Sequence, residues 1–132
     1  MRGGASRRLR GWAGASTSVR ATRTGSAFDG GFDVVVMHTL VSHVADSAAV
    51  LAEGRRLLRP GGRSVVFDGD YASLTFATDA PDGGEATDAL IRGNLVANQR
   101  VMRAMPRLLA EAGLDLLLSR AYVAADIGRV DF

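Results

Sequence analysis

The stretch that decides the fold is Phe32-Asp33-Val34-Val35-Val36-Met37-His38, followed thirty residues on by Ser64-Val65-Val66-Phe67-Asp68. Asp33–Met37 is a short β-branched run with Gly30-Gly31 before it and polar residues after it. A continuous run of this kind suits a strand buried on both faces, as in a parallel sheet. Between the two runs, Asp46 stands where a helix N-cap belongs, and Val50, Leu51, Leu57 and Leu58 place an apolar stripe along a helix over Ser47–Arg59. Gly54 weakens that helix by about 1 kcal/mol. Arg55, Arg56 and Arg59 complement the helix dipole at its C-terminal end, and Pro60-Gly61-Gly62 stops it.

Strand, helix and strand from Asp33 to Asp68 have the span of a βαβ unit, whose two strands run parallel through a right-handed crossover. Their C-terminal ends then open on one rim, bringing Met37-His38-Thr39 beside Asp68-Gly69-Asp70-Tyr71. Ligands bind at that rim in open α/β sheets.

Working outward, the loop Asp79-Ala80-Pro81-Asp82-Gly83-Gly84 separates this unit from an expected helix over Glu85–Met105, whose middle Gly93 disturbs. Pro106 is expected to interrupt the segment and restart it as the first residue of a shorter helix ending at Gly113. Leu114–Val123 reads as a further strand with Leu116 and Leu118 on one face. On the other side, residues 1–28 are rich in Gly, Ala, Ser, Thr and Arg and show neither period. They read as a disordered leader, and the same composition also suits an organelle-targeting peptide or the product of a shifted frame or start. The domain proper is expected over residues 29–132.

Composition narrows the chemistry. With 132 residues, 47% of them hydrophobic, the chain has the size of one soluble domain. The absence of Cys removes disulfides, thiol nucleophiles and Cys-ligated metals, and two His leave a metal site to rest on carboxylates. All sixteen basic residues are Arg; six precede the first acid, Asp29, whereas the remaining ten face fourteen acids. The body is therefore mildly acidic and gives nucleic-acid binding little support, although the leader suits a polyanion. No apolar stretch approaches the roughly 20 residues of a membrane span, which makes a cytoplasmic location the default.

The segment FDVVVMHTLVSHVADSAAVLAEGRRLLRPGGRSVVFDGDY, residues 32–71, resembles the second half of a class I S-adenosylmethionine-dependent methyltransferase of the broad type-11 or ubiquinone-biosynthesis-like kind. In that family an FD-led strand, a D-x-x-x-x-L helix, an RPGG turn and an acid-closed strand follow in this order. Met105-Pro106-Arg107-Leu108-Leu109-Ala110-Glu111-Ala112-Gly113-Leu114 is similar to the helix entering the family's next strand. The resemblance implies a partial Rossmann-like, doubly wound α/β fold, S-adenosylmethionine as cofactor and a small-molecule methyl acceptor. It places His38 and Thr39 on the cofactor and Asp68, Asp70 and Tyr71 on the acceptor, with no metal.

The family's D-x-G-x-G turn, where backbone N–H groups meet the cofactor, has no counterpart here. The chain is accordingly expected to be truncated at the front and clipped at the back, and its activity alone is doubtful. A strand central in the whole sheet would become an exposed edge presenting Val34, Val35 and Val36, open to aggregation or self-association. A non-catalytic module pairing through that edge, and a nucleic-acid-associated protein using the leader, are the rival readings. Among other polar residues, His43 reads as a shaper of its loop, Asp33 as structural, and Asn94, Asn98 and Arg100 as polar candidates on a helical lid.

Overall fold

The computed structural model describes residues 28–125. In chain order these form β1 (Phe32–His38), α1 (Ser47–Leu57), β2 (Leu58–Phe67), a single 3-10 turn at Tyr71–Ser73, α2 (Glu85–Leu95) and α3 (Val101–Glu111). The α/β character and the strand–helix–strand unit agree with the sequence reading. β1 and β2 pair in parallel, from Val34 opposite Arg63 to His38 opposite Phe67. Asp46 caps α1 as expected, its Oδ1 accepting from the Ala49 N–H at 2.9 Å.

The helix ends two residues earlier than its sequence suggests. Leu58 is already extended, is 6% exposed and sits opposite Phe32, so core burial draws it into β2. The register then jumps from Phe32–Leu58 to Val34–Arg63, and Arg59-Pro60-Gly61-Gly62 bulges between these positions. Glycine is required there: Gly61 has φ +75°, and a Cβ on Gly62 would lie 2.9 Å from the Phe32 carbonyl oxygen.

One face of the strand pair is covered. Val35, Met37 and Val66 point towards α1 and α3, and Met37, Val41, Leu51, Val101, Met105, Leu108 and Leu109 form the buried cluster. In α3 the buried residues fall at i, i+4, i+7 and i+8, a single stripe. The opposite face carries Val34, Val36, Val65 and Phe67, all exposed. The expectation of a strand buried on both faces is thus corrected: nothing among the described residues covers the second one.

Two further expectations are corrected. The segment Glu85–Met105 is two helices, broken at Val96–Arg100 rather than at Pro106, because Val96 is buried and Asn98 is anchored to the β1–α1 loop. Pro106 lies inside α3 on its exposed side, where its ring leaves the apolar stripe intact. Leu114–Val123 forms no strand. A strand needs a partner ladder, and this segment meets no sheet edge; Leu117, Leu118, Tyr122 and Val123 are exposed. The leader expected over residues 1–28 lies outside the described residues apart from Phe28, whose ring packs edge-on against Phe32.

At the start of α2, Asp82 accepts from the N–H groups of Ala86 (2.9 Å) and Gly84 (3.1 Å), and these bonds hold its carboxyl below the usual range. No helix among the described residues is long and apolar enough to cross a membrane.

Candidate functional site

Because the strands are parallel and end together, His38 and Asp68 leave the sheet at the same end, as the sequence requires of a shared rim. The Thr39 N–H donates to the Phe67 carbonyl at 2.8 Å, extending the ladder by one bond. Thr39 then adopts φ +49°, a left-handed conformation that a β-branched residue rarely takes. That turn swings the chain off the sheet. His38 is exposed, its ring stacked on Phe67 with centroids 5.0 Å apart, and its Nδ1 lies 2.9 Å from Thr39 Oγ1 in a hydrogen bond.

Asp68 faces the loop between β1 and α1. Its Oδ1 accepts from Ser42 Oγ (2.7 Å) and the Gly69 N–H (2.8 Å), and its Oδ2 accepts from the Ser42 N–H (3.0 Å). Ser42 is fully buried, so these bonds supply partners to groups that water does not reach. The loop is held from its other side by Asn98. The Asn98 N–H donates to the Ser42 carbonyl at 2.9 Å, and its Nδ2 donates to the Val44 carbonyl at 2.5 Å and to Ser47 Oγ at 3.3 Å. Ser47 Oγ in turn donates to the Val41 carbonyl at 2.7 Å. The β1–α1 loop is therefore tied both to the end of β2 and to the break between α2 and α3.

Asp70 has a different partner. Arg103, on α3, donates to both its oxygens with Nε and Nη2 at 2.8–3.1 Å, and those hydrogen bonds raise the guanidinium above its ordinary value. Tyr71 meets His43 edge-on, with centroids 6.1 Å apart, and the Ala72 N–H donates to the Gln99 carbonyl at 3.1 Å. Asn94 donates back to the Leu90 carbonyl in its own helix, Arg100 is exposed at the start of α3, and Asp33 accepts from Arg59 at 2.5 Å.

The structure thus gathers His38, Thr39, Asp68, Asp70 and Tyr71 about one end of the strand pair, and adds His43, Ser42, Asn98 and Arg103. Asn94 and Arg100 stand apart from this set. Sequence reasoning passes over Ser42 and Arg103; the one available signal was helical spacing, which puts Arg103 two residues into α3 and off its apolar stripe.

What the rim can do chemically follows from what is already bonded. Both carboxylates have partners, Asp68 in the loop and Asp70 on Arg103, and among the described residues no group of three or more His, Asp or Glu could hold a metal. An open groove of about 600 Å³ runs between the start of α1 and α3, beside Asp46, Asn98, Arg100 and Arg107, and a smaller one lies on α2 along Leu90 and Leu95. The first touches the rim set only through Asn98, and the second lies away from it. A nucleoside cofactor needs backbone N–H groups for its amino-acid end and a free acid for its ribose hydroxyls. The described residues do not fit that requirement on their own, because the only acids at the rim are engaged.

A parallel βαβ unit with its polar residues on the C-terminal rim is the local architecture of an open α/β sheet. Sequence comparison adds to this: residues 12–66 match a family model described as a methyltransferase domain, in line with the resemblance. The match begins at Trp12 and takes in part of the segment that composition sets apart as a leader. An "Uncharacterized 37.1 kDa protein in transposon TN4556" of Streptomyces fradiae is 38% identical over 85 residues, covering 64% of this chain. The chain spans only 25% of that relative's length. No solved structure matches.

Proposed function

We propose that the chain carries the acceptor-side half of an S-adenosylmethionine-dependent methyltransferase domain acting on a small molecule. The observation that supports this reading is the placement of His38, Thr39 and Asp68–Tyr71 on one rim of a strand pair that lies largely within the matched stretch. In this reading His38 and Thr39 face the cofactor, Asp70 and Tyr71 lie on the acceptor's side, and Asp68 contributes by fixing the loop that carries the other residues.

Methyl transfer from a sulfonium needs the methyl carbon and acceptor brought into line and water kept out, with little acid–base chemistry when the acceptor is a good nucleophile. A rim whose residues are held by a hydrogen-bonded network suits that demand. Since the described residues do not by themselves supply the cofactor's cradle, their role in this reading is to position and to exclude water.

The test is titration of the chain with S-adenosylhomocysteine, read by amide and imidazole NMR shifts. Weak, millimolar-range perturbation confined to residues 38–43 and 68–72 is expected, since affinity at that level is only about 4 kcal/mol. Perturbation confined to the groove between α1 and α3, or none at the rim, would overturn the assignment. Micromolar affinity would instead refute the idea that the glycine turn is needed for binding.

A further inference from the structure

Among the described residues, Thr39 is the one non-glycine with positive φ, and its surroundings explain why. On one side it is fixed to the sheet: His38 still pairs with Phe67 in the ladder, and the Thr39 N–H donates to the Phe67 carbonyl at 2.8 Å. On the other side Val41 is fully buried, and its carbonyl accepts from Ser47 Oγ at 2.7 Å. Ser42, next along, is bound to Asp68. Only the torsions of Thr39 and Leu40 remain to join these fixed points, and Thr39 takes φ +49° to do so. Left-handed backbone is costly for an L-residue and more so for a β-branched one. Such a torsion persists only where its surroundings over-determine it.

Two groups hold the loop, and they pull from different places. Asp68 follows β2 directly, so its bonds to Ser42 tie the loop back to the end of the strand pair. Asn98 lies at the break between α2 and α3 and ties the same loop away from it, through the carbonyls of Ser42 and Val44 and through Ser47 Oγ, the group that holds Val41. We propose that Asn98 is the latch of a sprung turn. With its bonds in place the loop is stretched between β2 and the α2–α3 break and Thr39 is kept left-handed. With its side chain gone, Thr39 returns to extended backbone and its Oγ1 parts from His38 Nδ1, 2.9 Å away. Asn98 is thus a positioning residue that acts on His38 and Thr39 through the loop. Its neighbour Gln99 accepts from the Ala72 N–H at 3.1 Å, beside Tyr71. The segment on the acceptor's side of the rim therefore carries the latch for the pair on the cofactor's side. That assignment of sides rests on the proposed function; the latch and its strained turn do not.

NMR of the full chain with no nucleoside present tests the latch separately from the methyltransferase reading. In the unaltered chain the Cα and Cβ shifts of Thr39 should report left-handed backbone. Asn98→Ala should move them towards extended values and shift the His38 ring signals, whereas Asn94→Ala, which removes an amide bonded within its own helix, should leave both in place. Ser47→Ala takes one acceptor from Asn98 Nδ2 and frees the Val41 carbonyl, so it should move Thr39 the same way by a smaller step, and it serves if Asn98→Ala does not fold. Thr39→Gly gives an independent readout. Glycine enters the left-handed region freely, so in the unaltered background the unfolding equilibrium constant in urea should fall about threefold, net of glycine's greater freedom in the unfolded chain. With the latch removed that gain should disappear. Extended Thr39 shifts in the unaltered chain, unmoved shifts in whichever latch variant folds, a Thr39→Gly that fails to stabilise the unaltered chain, or one that stabilises both backgrounds equally would overturn the proposal.

Discussion

Met37 and Val36 are neighbours in one strand, and one is 3% exposed while the other is 63% exposed. The face that holds Met37 is packed by α1 and α3; the face that holds Val36, Val34, Val65 and Phe67 meets nothing among the described residues. Both faces are written in the same apolar residue types, so the difference lies in what is set against them and not in the strand. Burial is a property of pairs of surfaces, and a valine run states only that a strand suits two covers.

The largest expected effect comes from removing a side chain on the covered side. Leu51→Ala, at a fully buried position of α1, should cost about 2–5 kcal/mol through lost transfer energy and the cavity left behind. Val36→Ala should cost less than about 0.5 kcal/mol in dilute solution, because the side chain is mostly in water already. Urea unfolding followed by circular dichroism separates the two. Comparable losses at both positions would show the bare face to be covered after all.

A second contrast sharpens the first on the polar side of the molecule. Asp68 and Asp70 are two residues apart, yet Asp68 serves the buried Ser42 and Asp70 an exposed guanidinium on α3. Asp68→Ala leaves Ser42 Oγ, the Ser42 N–H and the Gly69 N–H without their acceptor, at a cost of about 2 kcal/mol. Asp70→Ala should leave the unfolding midpoint almost unmoved, and whatever change it makes should vanish in high salt. If Asp70→Ala proves the more damaging, the loop is held by α3 through Arg103 and not by β2 through Asp68.

The legible parts of this fold were those fixed by local chemistry. Two β-branched runs, an Asp46 cap and a Pro-Gly-Gly stop are each readable within a few residues, and the rule for parallel crossovers then places His38 and Asp68 on one rim without further information. Contacts across the sequence were not legible. The break between α2 and α3 depends on Asn98 reaching back to Ser42, Val44 and Ser47, more than fifty residues away, and nothing near Asn98 announces that. The same reason explains Leu114–Val123: its alternation is a local pattern, but a ladder needs an edge supplied from elsewhere. Ser42 looks in the sequence like any loop serine, and becomes central only because Asp68 arrives beside it.

Gly54 offers the smallest effect and the finest test of how tightly the covered face is packed. By helix propensity alone, Gly54→Ala in the middle of α1 should stabilise by about 1 kcal/mol. The structure opposes this, because a Cβ at that position would lie 2.0 Å from Met37 Cε and 3.8 Å from Val35 Cγ1. Something must move, and overpacking of a core costs about 1–3 kcal/mol, towards the lower end here since a methionine tip adapts more readily than a branched chain. The two effects nearly cancel, and a net loss below about 1 kcal/mol is expected. Removing the obstacle reverses the sign: in a Met37→Val background, where the thioether is gone, Gly54→Ala should recover most of its propensity gain, giving a coupling of about 1 kcal/mol or more in a double-mutant cycle. A Gly54→Ala that stabilises by the same amount in both backgrounds would mean that α1 rides farther above β1, and that the covered face is less closely packed than the contrast with the bare one implies.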